Sequence, residues 1–286
     1  MRTNLRKWSL LLGVAVALPL TSSAQLTNQD IDVRNGIESH VGNITGHVKD
    51  AKSSYRRFCV GCHGPLGDGN GENFPWVDPK PRDFQMGVFK CRSTPTGTLP
   101  TDQDLFDTIA RGMDRSNMPQ WSQLTKQERA DLVAYVKHFS PRWVGEKPGT
   151  PITIPAEPEV TPERIKAGRD VFARVQCWKC HGVQGMANGP SAPTLTDDLG
   201  RPILPFNFTE GARPKCGDTD KDIYRIFMTG LDGTPMPSYA DNIKPDEAWD
   251  LVFYLRTFMS QHSKEKDMAK SLGLKPVDPN APAGQQ

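Results

Sequence analysis

The sequence predicts an all-α fold of two tandem domains joined by a Pro-rich linker, and three observations carry that expectation. A Cys-x-x-Cys-His pentapeptide occurs twice, as Cys59-Val60-Gly61-Cys62-His63 and Cys177-Trp178-Lys179-Cys180-His181, 118 residues apart. A Met-Pro pair follows each at the same distance: Met118-Pro119 lies 55 residues beyond His63, and Met236-Pro237 lies 55 beyond His181. Apolar residues recur at helical spacing around both motifs, and no run alternates convincingly as a strand would.

Taken in order, residues 1–24 read as a secretory leader. Arg2, Arg6 and Lys7 precede an apolar run from Trp8 to Leu20, and Ser22-Ser23-Ala24 offers small residues for cleavage before Gln25. An uncleaved anchor is the alternative, but the run is short for a spanning helix. Residues 25–50 form a polar flank, expected to be at most partly ordered. The first domain spans 51–140. Thr125 with Glu128 reads as a capping box, after which Leu132, Val133, Val136 and Phe139 share one helical face.

Pro141 to Pro162 holds six prolines in 22 residues, so 141–162 is expected to be an extended, semi-rigid spacer. The second domain spans 163–260. Thr161-Pro162-Glu163 opens a helix that carries Ile165, Gly168 and Phe172 toward Cys177, and Pro245 starts another that carries Trp249, Val252, Leu255 and Met259. Residues 261–286 are a polar tail. Duplication accounts for the pairing of the halves: Thr101–Trp121 aligns without gaps to Thr219–Tyr239, and after one inserted residue Tyr135 pairs with Tyr254 and Phe139 with Phe258.

Composition excludes some function classes. Loss of the leader's three cations takes the formal charge from +2 to −1, so the exported chain lacks the basic field that nucleic-acid binding needs. Beyond the leader no stretch is long and apolar enough to cross a membrane.

The motif itself points to covalent haem. Two thiols can add to the vinyl groups of a haem while the adjacent His reaches the iron. A thioredoxin-like pair would want a βαβ context, and zinc would want four convergent ligands; neither is visible in the sequence. Met118 and Met236 are the candidate second axial ligands, the other reading being core methionines. Of the other methionines, Met86, Met113, Met186 and Met228 among them, none shares this matched position before proline. His/Met ligation favours ferrous iron and fills the sixth position, which suits electron transfer and disfavours small-molecule activation. His40, His47, His138 and His262 are expected to be solvated or structural. Tyr135 and Tyr254 could pack on the haem face or serve as core aromatics.

Cys91 and Cys216 remain. Each follows a Lys, and each trails a related stretch, Pro81-Arg82-Asp83-Phe84 or Pro205-Phe206-Asn207-Phe208. In an oxidising compartment an even pair suggests a disulfide joining the copies; free thiols and a ligand role at one iron stay open.

With these residues placed, the chain resembles a di-haem c-type cytochrome built from two class I cytochrome c domains, over about 52–140 and 163–259. The resemblance implies two cytochrome c-like haem domains, each holding one covalent haem c. The first would use Cys59, Cys62, His63 and Met118; the second would use Cys177, Cys180, His181 and Met236. It implies periplasmic electron transfer between a redox protein donor and acceptor, as a shuttle or as a cytochrome subunit of a membrane respiratory complex. The chain is then expected to be a carrier and not an enzyme, with no small-molecule substrate. The runner-up is a di-haem enzyme of peroxidase or thiosulfate dehydrogenase type with one open or unusually ligated iron.

Overall fold

The computed structural model describes residues 33–259 and 263–281. The expected leader and His262 lie outside the described residues. In chain order the elements are a hairpin, β1 (Glu38–Val41) and β2 (Ile44–His47); α1 (Val48–Phe58) and the single turn α2 (Val60–His63); α3 (Asp102–Arg111), α4 (Lys126–His138) and the short α5 (Arg142–Gly145). The second half supplies α6 (Pro162–Arg174), α7 (Trp178–His181), α8 (Asp220–Thr229), α9 (Pro245–Met259) and α10 (Lys264–Ser271). The fold is two tandem, essentially helical domains, with β1 and β2 forming the one sheet among the described residues.

Helix starts follow from their caps. Thr101 with Asp104, Thr125 with Glu128 and Thr219 with Asp222 each form a reciprocal capping box, which satisfies amide donors that a first turn leaves unpaired. Pro162 occupies the first turn of α6, where its missing N–H costs nothing.

Each domain is organised by one helix crossing, α1 over α4 and α6 over α9. In the second, a Cβ added to Gly168 would lie 1.9 Å from the Asp250 carbonyl oxygen, so only glycine lets the two backbones approach this closely. Tyr55 packs against Tyr135 in the first crossing at 4.8 Å between centroids, with the rings tilted, and Phe172 meets Tyr254 in the second at 5.5 Å. Tyr135 and Tyr254 are therefore part of the helix-crossing aromatic clusters. Tyr55 stands four residues before Cys59 while Phe172 stands five before Cys177; Gln176, at φ +61°, takes up the extra residue in a left-handed step.

Two segments read as weakly ordered flanks are structured. Gly42-Asn43 turns the hairpin, with Gly42 at φ +58° as a type II′ turn requires at its first loop position. The hairpin lies flat on α4: a Cβ at Gly46 would sit 2.2 Å from Ala130 backbone, and the buried Ser39 hydroxyl donates to the Ala130 carbonyl at 2.7 Å. Lys137 ties this edge down by donating to the Glu38 carbonyl and to Asp102, both at 2.7 Å. At the other end, α10 and the buried Val277 cover the crossing of α6 and α9. Each half thus buries the outer face of its last long helix under an appended piece of chain.

The linker does not stand free. Its first residues form α5, and then Gly149 and Ile152 donate to the carbonyls of Leu99 and Ser93 in the first domain. Ile152, Ile154 and Val160 pack on the core of the second domain. The domains also meet directly. Cys91 and Cys216 are disulfide-bonded, with Cα atoms 5.1 Å apart, which resolves the open alternatives for that pair.

Candidate cofactor sites

Cys59 caps α1, and α2 then carries Cys62 and His63 in one helical turn, so the three functional side chains sit within five residues of one another on a rigid base. The second copy repeats this with Cys177 ahead of α7 and Cys180 and His181 within it. In the first domain Cys59, Cys62, His63 and Met118 all line one cleft. Apolar side chains supply most of the wall, among them Phe58, Phe84, Ile109 and Trp121.

Each motif histidine has one ring nitrogen occupied. His63 Nδ1 meets the Arg82 carbonyl at 3.1 Å, and His181 Nδ1 meets the Phe206 carbonyl at 2.9 Å. A carbonyl only accepts, so Nδ1 carries the proton and Nε2 keeps its lone pair for a metal. Burial holds both imidazoles below the ordinary His range, which keeps them neutral. Phe84 stacks on the His63 ring at 4.3 Å and Phe208 packs against His181 at 4.9 Å, fixing each ring plane.

Burial also pushes the Cys59 and Cys177 thiols up to about 12. Thiols so reluctant to ionise are poor thiolate ligands and poor disulfide-exchange nucleophiles, whereas thioether formation leaves no charge to bury. Among the described residues no cluster of three or more His, Cys, Asp or Glu could hold a metal ion by itself.

The methionine loops are built alike. The amide of Met118 donates to the Ser116 hydroxyl, and that of Met236 to the Thr234 hydroxyl; Met113 and Leu231 donate back to the carbonyls of Met118 and Met236 at 3.0 Å. Trp121 and Tyr239 then bond back to the Ile109 and Phe227 carbonyls, fastening each loop to the helix before it. Met236, like Cys177, packs against the second core.

Of the remaining histidines, His40 and His47 lie beside Glu38 on the hairpin, and His138 bonds to the Tyr135 carbonyl. None of the three lines the first cleft.

The carbonyl acceptors behind the histidines were not foreseen from the sequence, although the paired Pro-x-x-Phe stretches were the available signal. The same stretches face the opposite domain. A Cβ on Gly233 would lie 2.8 Å from Arg82 Nη1, and the Arg115 guanidinium sits 5.6 Å over the Phe206 ring. Arg82 pairs with Phe206, and Arg115 with Gly233, in the repeat. These are one contact seen twice: the methionine loop of each domain rests on the histidine-supporting segment of the other.

A family model described as Cytochrome c matches the chain twice, over residues 48–140 and 165–258. No curated protein gives a significant match. Among solved structures, a chain from the reducing HAO-like protein complex of Kuenenia stuttgartiensis is 40% identical, with a TM-score of 0.72, covering 74% of this chain and 96% of that one. This corrects the expectation of a carrier standing apart from enzymes. A protein so similar over nearly its whole length is part of a reducing HAO-like complex, so the plain non-enzyme reading does not stand.

Proposed function

This chain belongs to the cytochrome c family, and from that premise we propose that it is the two-haem electron-transfer component of a periplasmic redox complex, with His/Met ligation at both irons. Each domain carries one covalent haem c, on Cys59 and Cys62 in the first and on Cys177 and Cys180 in the second. Bound haem supplies a one-electron iron couple; the chain's part is to hold, orient and shield it.

His63 and His181 present Nε2 with the opposite nitrogen already engaged, so neither ring needs to turn or lose a proton to ligate. Met118 and Met236 would fill the sixth positions with a soft neutral donor that favours the reduced metal and keeps small ligands out. The disulfide and the reciprocal loop contacts fix the two sites relative to each other, so passing an electron between them calls for no domain motion. The partner is a redox protein, in keeping with the similar chain's place in a complex. The leader-like residues 1–24 support a periplasmic location.

The observation that carries this reading is the convergence of His63, Met118 and both cysteines on one apolar cleft. Carbon monoxide added to the reduced holoprotein tests it. Neither haem should bind it in the wild type, and Met118→Ala should open one haem and Met236→Ala the other. Rapid stoichiometric binding at one haem of the unaltered protein would mean an open iron and overturn the double His/Met assignment.

A further inference from the structure

We propose that the first haem site is completed by the second domain, with Lys215 joining Arg82 and Lys90 in a cationic rim that binds the two carboxylates at the edge of the porphyrin. This rests on haem attachment at Cys59 and Cys62 and is independent of which residue fills the sixth position.

The cleft carries four cationic side chains on its wall, Lys80, Arg82, Lys90 and Lys215, and not one Asp or Glu. Lys80 is engaged elsewhere, donating to the Phe74 carbonyl at 2.9 Å with its ammonium 4.7 Å over the Phe74 ring. The other three make no ion pair within 4.0 Å among the described residues; Asp78, Asp83, Asp197 and Asp198 act on them only from further away. Burial together with Arg82 and Lys215 pushes Lys90 down to about 8, so the group is paying for its confinement with no anion in contact. Like charges gathered at the mouth of an apolar cleft are costly unless an anion joins them. A pair of carboxylates on a flat ligand is the chemistry this rim recognises, Arg82 through its fork of donors and the two lysines as point charges.

Lys215 is not there by accident of surface packing. It adjoins Cys216, which is bonded to Cys91 of the first domain, and Lys90 adjoins Cys91. The disulfide therefore sets one lysine from each domain at the same rim. A fixed positive charge there disfavours the oxidised, more positive iron and raises the first haem's reduction potential.

Potentiometric titration of the holoprotein tests this in Lys215→Gln, with the two steps assigned by proton NMR contacts from haem methyls to Ile109 and Trp121. The first haem's midpoint should shift negative while the second holds, and Lys215→Arg should restore it. Should K215Q fail to accumulate with two haems, K90Q should give the same one-sided shift. An unmoved first midpoint, a joint shift of both, or failure of K215R to restore it would overturn the proposal. So would a wild-type midpoint that shifts on adding inorganic phosphate and loses that response in K215Q, because the rim would then be a free-anion site.

Discussion

Arg92 of the first domain and Asp232 of the second form an ion pair at 2.7 Å, and the Arg92 side chain is fully shielded from solvent. Arg92 also donates to the Thr229 carbonyl at 2.5 Å, while Asp232 accepts from the Thr96 hydroxyl and the Gly97 amide at 2.7 and 2.8 Å. Asp232 stands in the loop that leads to Met236, so the pair pins that loop to the opposite domain.

Removing Arg92 takes away the countercharge and leaves the half-buried Asp232 carboxylate with the Thr96 and Gly97 donors alone, and breaking such a pair from one side costs up to about 3 kcal/mol. Arg92→Met should lower stability by roughly that amount in urea unfolding of the holoprotein. It should also weaken the sulfur-to-iron charge-transfer band if Met236 is a ligand. Asp232→Asn, which keeps an acceptor for Thr96 and Gly97, should cost less. Equal losses in the two variants would show that the charge pair is not what holds the loop.

The Cys91–Cys216 bond closes a sequence separation of 125 residues. Long closed loops gain most from a crosslink, by about 2–5 kcal/mol. The Cys91→Ser/Cys216→Ser double variant should lose stability within that range and show a larger radius of gyration by X-ray scattering at mild urea. Thiol titration of the unfolded wild-type holoprotein should find no free group before reduction and two after it.

Gly168→Ala should damage the second domain selectively. The added methyl has no space beside the Asp250 carbonyl, and backbone cannot yield as a side chain can, so the loss should reach about 3 kcal/mol or more. Ala51, buried at the first crossing, gives the contrast: Ala51→Gly should cost only about 1 kcal/mol, by lowering helix propensity. Thermal unfolding followed by proton NMR of the haem methyls, assigned domain by domain, separates the two domains.

Much of this architecture was legible because it rests on local chemistry. Thr125 and Glu128 specify their capping box within four residues, and the matched spacing of His63 to Met118 reflects a loop that the structure does bring back to the same cleft. What escaped was set at long range. The hairpin had a readable turn in Gly42-Asn43, but its strands are four residues each and owe their order to Ala130 on a helix far along the chain. Helix α10 is polar along most of its length and is held by a neighbouring core. Lys215 reads as an ordinary surface lysine until the disulfide carries it to the other domain's cleft. Cysteine counting left Cys91 and Cys216 undecided, since nothing in one sequence says which loops will face each other.

Acid stability should depend in opposite senses on Glu128 and Asp250. Hydrogen bonds from the Thr125 amide and hydroxyl hold the exposed Glu128 carboxyl below the usual range. Its contribution is therefore present above the ordinary Glu value and is lost as pH falls through the lowered folded value. Asp250 is the reverse case. Burial outweighs the Arg164 guanidinium 2.6 Å away and lifts its carboxyl above the usual range, so folding favours the protonated form. Its effect on stability is best below the ordinary Asp value and declines as pH rises through the raised folded one. Glu128→Gln should accordingly flatten the acid loss of stability, and Asp250→Asn should steepen the net rise of stability with pH by removing the opposing slope. Urea midpoints of both variants across the carboxylate range check the signs, and a shift of the two slopes in the same direction would contradict the burial argument for Asp250.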